Sequence, residues 1–322
     1  MRHSTLVELA DRHGVRLPDA LREDWPPQLS AADEKGWFRF QRLYDLARSV
    51  LRTEDDVRRL VNEAAEDDAA EGSRWLEIQV DPSGYGALFG GITAFTDLVL
   101  DAARAAAERT GIGIAVVIAA NRTRHPLDAR TLARLASQYA DRGVVGFGLS
   151  NDERRGVTED FARAFQIASR GGLLAAPHGG ELRGPDHIRT CLDSLHAQRL
   201  GHGVRVVEDP DLLRRVVEQD VTLEVCPASN VSLGVYQSLS DVPLRALVDA
   251  GARIALGADD PLLFGSRLLD QYESARTVHG FSDAEVAALA RSSIDGSAAP
   301  SDVRKQLHED IDTWMRSTPT AG

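Results

Sequence analysis

Seven short apolar runs, separated by stretches of helical period, leave this chain few folds to choose from. They are Trp75–Val80, Ile112–Ala120, Val144–Ser150, Leu173–Ala176, Arg199–Gly203, Thr222–Val225 and Arg253–Asp260. Near-continuous apolar character suits a parallel strand covered on both faces, and the helical stretches between runs supply the crossovers that parallel pairing needs. Polar or glycine-rich residues gather where the runs end: Asn121-Arg122, Asn151-Asp152-Glu153, His178-Gly179-Gly180-Glu181, His202-Gly203, Ser229-Asn230 and Asp259-Asp260. In a TIM-type (β/α)8 barrel the active site collects at the C-terminal ends of the strands, so this pattern predicts that α/β fold. A doubly wound open sheet is the alternative. Seven runs are one short of a closed barrel, and none precedes the first helix, so the first strand is expected to be missing from this sequence.

A chain of 322 residues fits one barrel, which commonly uses about 250, plus extensions. We read 1–322 as a single domain with a helical C-terminal part at 264–317. Ser4, Thr53 and Ser301 are candidate helix caps, and Pro18 to Ser30 reads as a loop. Trp37, Phe38, Phe40, Leu43, Tyr44 and Leu46 form an aromatic helical stripe suited to core or pocket rim. Glu66-Asp67-Asp68 reads as a solvated face, and Thr318 to Gly322 as a frayed tail.

A formal charge of −12 repels phosphate backbones and anionic lipid, which argues against nucleic acid or membrane as partner and for a small molecule. Cys191 and Cys226 give neither a disulfide framework nor a CxxC knuckle, which suits a reducing cytoplasm. Both are expected to be packing residues. No apolar run nears the roughly 20 residues that span a bilayer, and no leader-like segment opens the sequence.

The chemistry is expected at three strand ends. His178 and Glu181 can pair a metal-ligating imidazole with a proton donor, although a strand-to-helix turn with a capping carboxylate has the same pattern. His202, between two glycines, can enter a pocket or sit hydrogen-bonded in the core. Asp259-Asp260 follows a buried run, and burying an unpaired carboxylate costs several kcal/mol, so a cation or positive donor is expected beside it. Together these four positions supply ligands, a proton donor and a group to hold water, which is what metal-assisted hydrolysis requires.

The motifs His178-Gly179-Gly180-Glu181, Arg199-Leu200-Gly201-His202-Gly203, Cys226-Pro227-Ala228-Ser229-Asn230 and Asp259-Asp260-Pro261 resemble those of the adenosine deaminase family of the amidohydrolase superfamily, in the same order. The resemblance implies a zinc-dependent hydrolase, one zinc per chain, converting the 6-amino group of an adenine-type nucleoside to the 6-oxo product and ammonia. It implies His178 and Asp259 as metal ligands, Glu181 as the acid that protonates purine N1, His202 as the group that orients and deprotonates the water, and Asp260 as a contact to water and N7. The cytidine-deaminase signature is absent, so Cys226 is not expected to be a ligand.

Two departures stand out. Family members carry an HxH pair at the end of a first strand, and none of the nine histidines here forms one, so two expected zinc ligands are missing from this sequence. His3 and His13 lack the strand context to replace them. Asn151 stands where the family usually has a glycine whose amide meets purine N3, which reshapes the substrate pocket. Adenosine, 6-aminodeoxyfutalosine (a menaquinone precursor) and other N6-aminopurines are thus the candidate substrates. The contrary reading is a catalytically silent nucleoside-binding protein without a complete metal site.

Overall fold

The computed structural model describes residues 1–27, 29 and 34–317, and each of the seven runs forms a strand. Strands β1 (Trp75–Val80), β2 (Gly113–Asn121), β3 (Val144–Ser150), β4 (Leu174–Gly179), β5 (Arg199–His202), β6 (Thr222–Val225) and β7 (Arg253–Leu256) pair in chain order as one parallel sheet. The register sets Val80 beside Ile118, Gly179 beside His202 and Val225 beside Leu256. Each strand pairs with its sequence neighbour, so the winding never reverses. That excludes the doubly wound arrangement, whose strand order turns back on itself.

The sheet is curled into a barrel wall. Arg199 on β5 reaches Glu77 on β1 at 2.6 Å and Glu224 on β6 at 2.5 Å, whereas four strand spacings in a flat sheet amount to about 19 Å. Helices Ile92–Thr110, Pro126–Gln138, Ala162–Arg170, Pro185–Leu195 and Pro210–Glu218 fill the first five crossovers, giving a TIM-type (β/α) fold. The alanine-rich helix Ile92–Thr110 buries Phe95, Val99, Ala102, Ala103 and Ala106 at helical spacing and ends at Gly111, whose φ of 75° is left-handed. Each large apolar side chain buried this way stabilises by roughly 1.5–3 kcal/mol.

Among the described residues no strand pairs with the outer edge of β1 or β7. The edge of β7 is nonetheless satisfied. The backbone amides of Ile254 and Leu256 donate to the hydroxyls of Ser292 (2.8 Å) and Ser293 (3.2 Å) on helix Asp283–Gly296. A helix with two adjacent serines thus covers an edge that would otherwise expose unpaired donors.

Several local expectations need correcting. The first helix, His3–His13, takes Arg2 as its cap, so Ser4 lies inside the first turn. Ser301 likewise opens helix Ser301–Arg316 behind Pro300. A short helix, Asp19–Arg22, interrupts the predicted loop after Pro18. The acidic run is not simply solvated, because Asp67 and Asp68 pair with Arg2 and Arg267. Thr53 does cap helix Glu54–Ala70, in a reciprocal capping box with Asp56. Ser30 and Thr318 to Gly322 lie outside the described residues.

Candidate active site

The predicted site residues meet at the C-terminal mouth of the strands. His178, near the end of β4, packs its ring edge-on to that of His202, which ends β5, with centroids 5.1 Å apart. Closeness here depends on Gly201, because a Cβ at that position would lie 2.3 Å from His178 Cδ2. His202 Nε2 is 3.5 Å from Glu181 Oε2 and 4.0 Å from Asp259 Oδ2. Four groups from three strand ends therefore share one small volume.

Backbone strain marks the same place. Three of the five non-glycine residues with positive φ among the described residues are Asn151 (80°), His202 (66°) and Asp259 (55°). Such conformations cost of order 1–3 kcal/mol each and persist where the surroundings over-determine them, typically at active sites. Ser229 donates to Asp259 Oδ2 at 2.6 Å, and the Asn230 amide lies 3.5 Å from His202 Nδ1. The Cys226-to-Asn230 motif thus holds the carboxylate and the imidazole at their angles.

Burial sets the protonation states. It lowers the pKa of His178 to about 3, helped by His202 and Arg122, so the imidazole is neutral. Burial raises Glu181 to about 7 against the pull of His202, and its Oε1 is buried without a partner. His202 loses proton affinity to burial but regains more from Glu181 and Asp259, leaving its pKa raised. Asp260 is raised by burial and then by the adjacent Asp259 charge. A neutral imidazole, two carboxyls near their titration point and a basic histidine form a set suited to moving protons at neutral pH.

Neutral imidazole and carboxylate oxygen are the donor types a divalent metal takes, which makes His178 and Asp259 ligand candidates by chemistry. His202, Cys226 and Asp259 also offer donor atoms all within 4.8 Å of one another. Burial drives the Cys226 thiol well above its ordinary pKa, and Sγ lies 3.6 Å from the Glu224 carbonyl as a donor. A protonated thiol is a poor ligand. The candidate histidines of the first helix are occupied elsewhere, His3 on the Leu21 carbonyl and His13 on Asp56.

Helix Glu34–Arg48 forms part of the rim. Gln41 accepts from the Asn151 amide at 3.2 Å, and Arg154 and Arg155 lie over the rings of Trp37 and Phe38. The aromatic stripe therefore divides: Trp37 and Phe40 are buried, while Phe38 is 48% exposed. The charge of Asp260 pushes up the Tyr44 phenol, which places that ring near the mouth. A groove of about 650 Å³ lies instead at the opposite, N-terminal end of the strands, lined by Arg199, Thr222 and Arg253, away from this chemistry.

Sequence reasoning gave no role to Gln79 or Arg122. Gln79 Nε2 lies 3.4 Å from His178 Nε2, and Arg122 donates to the His178 carbonyl at 2.7 Å. Their signal was present, as polar residues near the ends of apolar strands.

Comparison with known proteins gives a consistent result. The adenosine deaminase family profile matches residues 1–314. A Streptomyces virginiae protein named as an adenosine/adenine deaminase is 65% identical over 315 residues, spanning 98% of this chain and 93% of its own. An adenine deaminase of Rhizobium leguminosarum bv. trifolii is 36% identical over 269 residues, 83% of each chain. The crystal structure of adenine deaminase from Arthrobacter aurescens superposes with a TM-score of 0.89 at 30% identity, over 98% of this chain and 95% of that one.

Proposed function

Because the chain belongs to the adenosine deaminase family of hydrolytic deaminases, we propose that it converts a 6-aminopurine to the 6-oxopurine and ammonia with one zinc ion, and that it favours the free base adenine over nucleosides. The observation that carries the chemistry is Glu181, a buried carboxyl with one unpartnered oxygen, held at a pKa of about 7 beside His202.

His178 and Asp259 would give two of the three or more protein ligands a catalytic zinc takes, and such an ion lowers the pKa of its bound water from about 15.7 to about 7. Glu181 donates its proton to ring N1, which draws electron density from C6 and opens that carbon to water. His202 holds the water and accepts its proton, and its raised pKa suits it to carry that proton until the leaving amine takes it as ammonia. Asp260, protonated near neutrality, donates to N7 and keeps the ring in plane with Glu181. Water adds its oxygen at C6, and as the C6–N bond breaks the C6 hydroxyl gives up its remaining proton to Glu181, which restores the acid and leaves the 6-oxopurine and ammonia.

The preference for the free base rests on the contact between Asn151 and Gln41. Their hydrogen bond joins the β3 loop to the rim helix, and the family resemblance puts Asn151 beside purine N3, next to the N9 that carries a ribose. Asn151→Gly removes that bond and relaxes a left-handed residue. The kcat/KM ratio of adenosine to adenine should rise about tenfold, equivalent to about 1.4 kcal/mol. An unchanged ratio, with 6-aminodeoxyfutalosine as a third substrate in the assay, would place selection elsewhere on the rim.

Glu181 also predicts the pH profile. The group acts as its acid, and its pKa is raised, so the rate declines as its proton is lost above about pH 7. On the acid side the rate falls as His202, whose pKa is also raised, becomes protonated and can no longer take the water's proton. Ammonia release from adenine, followed between pH 5 and about pH 9, tests both the reaction and this limb. A rate that keeps rising to the alkaline end contradicts the role of Glu181, and absence of ammonia from any 6-aminopurine overturns the function.

A further inference from the structure

Glu153, just beyond the end of β3, is 1% exposed and touches none of the proposed reacting groups through its side chain. Its carboxylate accepts from three consecutive backbone amides: Glu181 at 3.1 Å, Leu182 at 3.0 Å and Arg183 at 2.8 Å. Successive N–H groups of this kind form a concave anion-binding nest, made here by the turn that follows Gly180 at φ +86°. His187 Nδ1 lies 3.4 Å from the second carboxylate oxygen. Arg122 stands behind both, donating to Thr158 Oγ1 and to the His178 carbonyl.

An ionised carboxylate sealed from water is costly unless every lone pair finds a donor. Here burial is outweighed by the His187 contact, the Arg122 charge and the backbone donors, so Glu153 stays charged, with a pKa of about 2. One charge therefore fixes the backbone from which Glu181 projects. We infer that Glu153 is the positioning residue of the deamination: its carboxylate, seated in the 181–183 amide nest, holds Glu181 at the angle from which it protonates the purine.

This inference rests on the deaminase reading and on Glu181 as its acid. Misplacing a catalytic group by about 1 Å can cost about 10² in rate, and Glu153→Gln replaces one acceptor with an NH2 that faces the nest donors. Glu153→Gln should lower kcat on adenine at least 30-fold with KM within about threefold, because substrate binding does not depend on the acid's angle. A residue that serves only stability has no reason to split kcat from KM. Combining Glu153→Gln with Glu181→Gln gives the sharper readout. If Glu153 acts through Glu181, its substitution costs less than about threefold once the acid is gone.

Glu153→Asp, which retains the charge, carries the same test should the glutamine variant not fold, with about a tenfold loss in kcat expected. Folding is confirmed by circular dichroism and melting temperature. A parent protein that releases no ammonia overturns the deaminase reading itself. An active parent whose folded Glu153 variant turns over within threefold overturns the inference alone. So does a full second loss in the Glu181→Gln background.

Discussion

Glu181→Gln is expected to retain its metal and its melting temperature while losing kcat by about 10² to 10⁴, the range general acid catalysis supplies. Glutamine is isosteric and keeps the contact to His202, so the pocket keeps its shape. It cannot deliver a proton to N1, and C6 then stays a poor electrophile. The variant should also lose the decline in rate above about pH 7, because the group responsible for it is gone. Metal analysis and steady-state ammonia release on the same preparation decide the matter. A metal-loaded variant with near-parental turnover removes Glu181 from the mechanism.

Sequence pattern read the barrel nearly strand for strand because most strands are apolar and well buried, with only the edge strand β1 partly so. Strands β1, β3 and β6 lie where the apolar runs place them. Less legible were the helix starts. Ser4 and Ser301 have the right chemistry for caps, yet Arg2 and Pro300 occupy the cap positions, since tertiary packing sets where a helix begins as much as its capping residue does. The covering of β7 by Ser292 and Ser293 was unreadable in principle. Two serines on an amphipathic helix look like surface residues until the edge they satisfy is known.

Within the site, charged residues at strand ends were visible because burying them demands a reason. What supports them was harder to see. Glu153 appeared in the sequence only as one polar residue among Asn151, Asp152 and Glu153, and nothing local distinguished the nest-bound carboxylate from its neighbours. Asp152 turns instead to Arg154 and its own loop. The distinction depends on the 181–183 turn packing against the loop, a contact between residues 28 to 30 positions apart. Left-handed backbone at His202 and Asp259 was equally hidden, because the preference of His and Asp for positive φ is too weak to mark a single position.

Replacing His178 by alanine should lower metal content at least tenfold under fixed metal buffering, whereas Cys226→Ala should leave it unchanged. Distance alone argues otherwise, since Cys226 belongs to a donor cluster with His202 and Asp259. Protonation decides between them. A ligand must present a lone pair, so a metal competes with the proton for each donor. Burial has already removed the proton from His178 and has fixed one on Cys226, so near neutrality the imidazole is free to bind and the thiol is not. Disturbing a residue behind a ligand typically costs 10- to 100-fold in metal affinity, and losing the ligand itself costs at least as much. Because His178 packs against Gly201, its truncation also leaves a void, and circular dichroism must show the variant folded before its metal is counted. A folded His178→Ala protein that keeps its metal, beside a Cys226→Ala protein that loses it, would transfer the metal to the His202, Cys226 and Asp259 cluster.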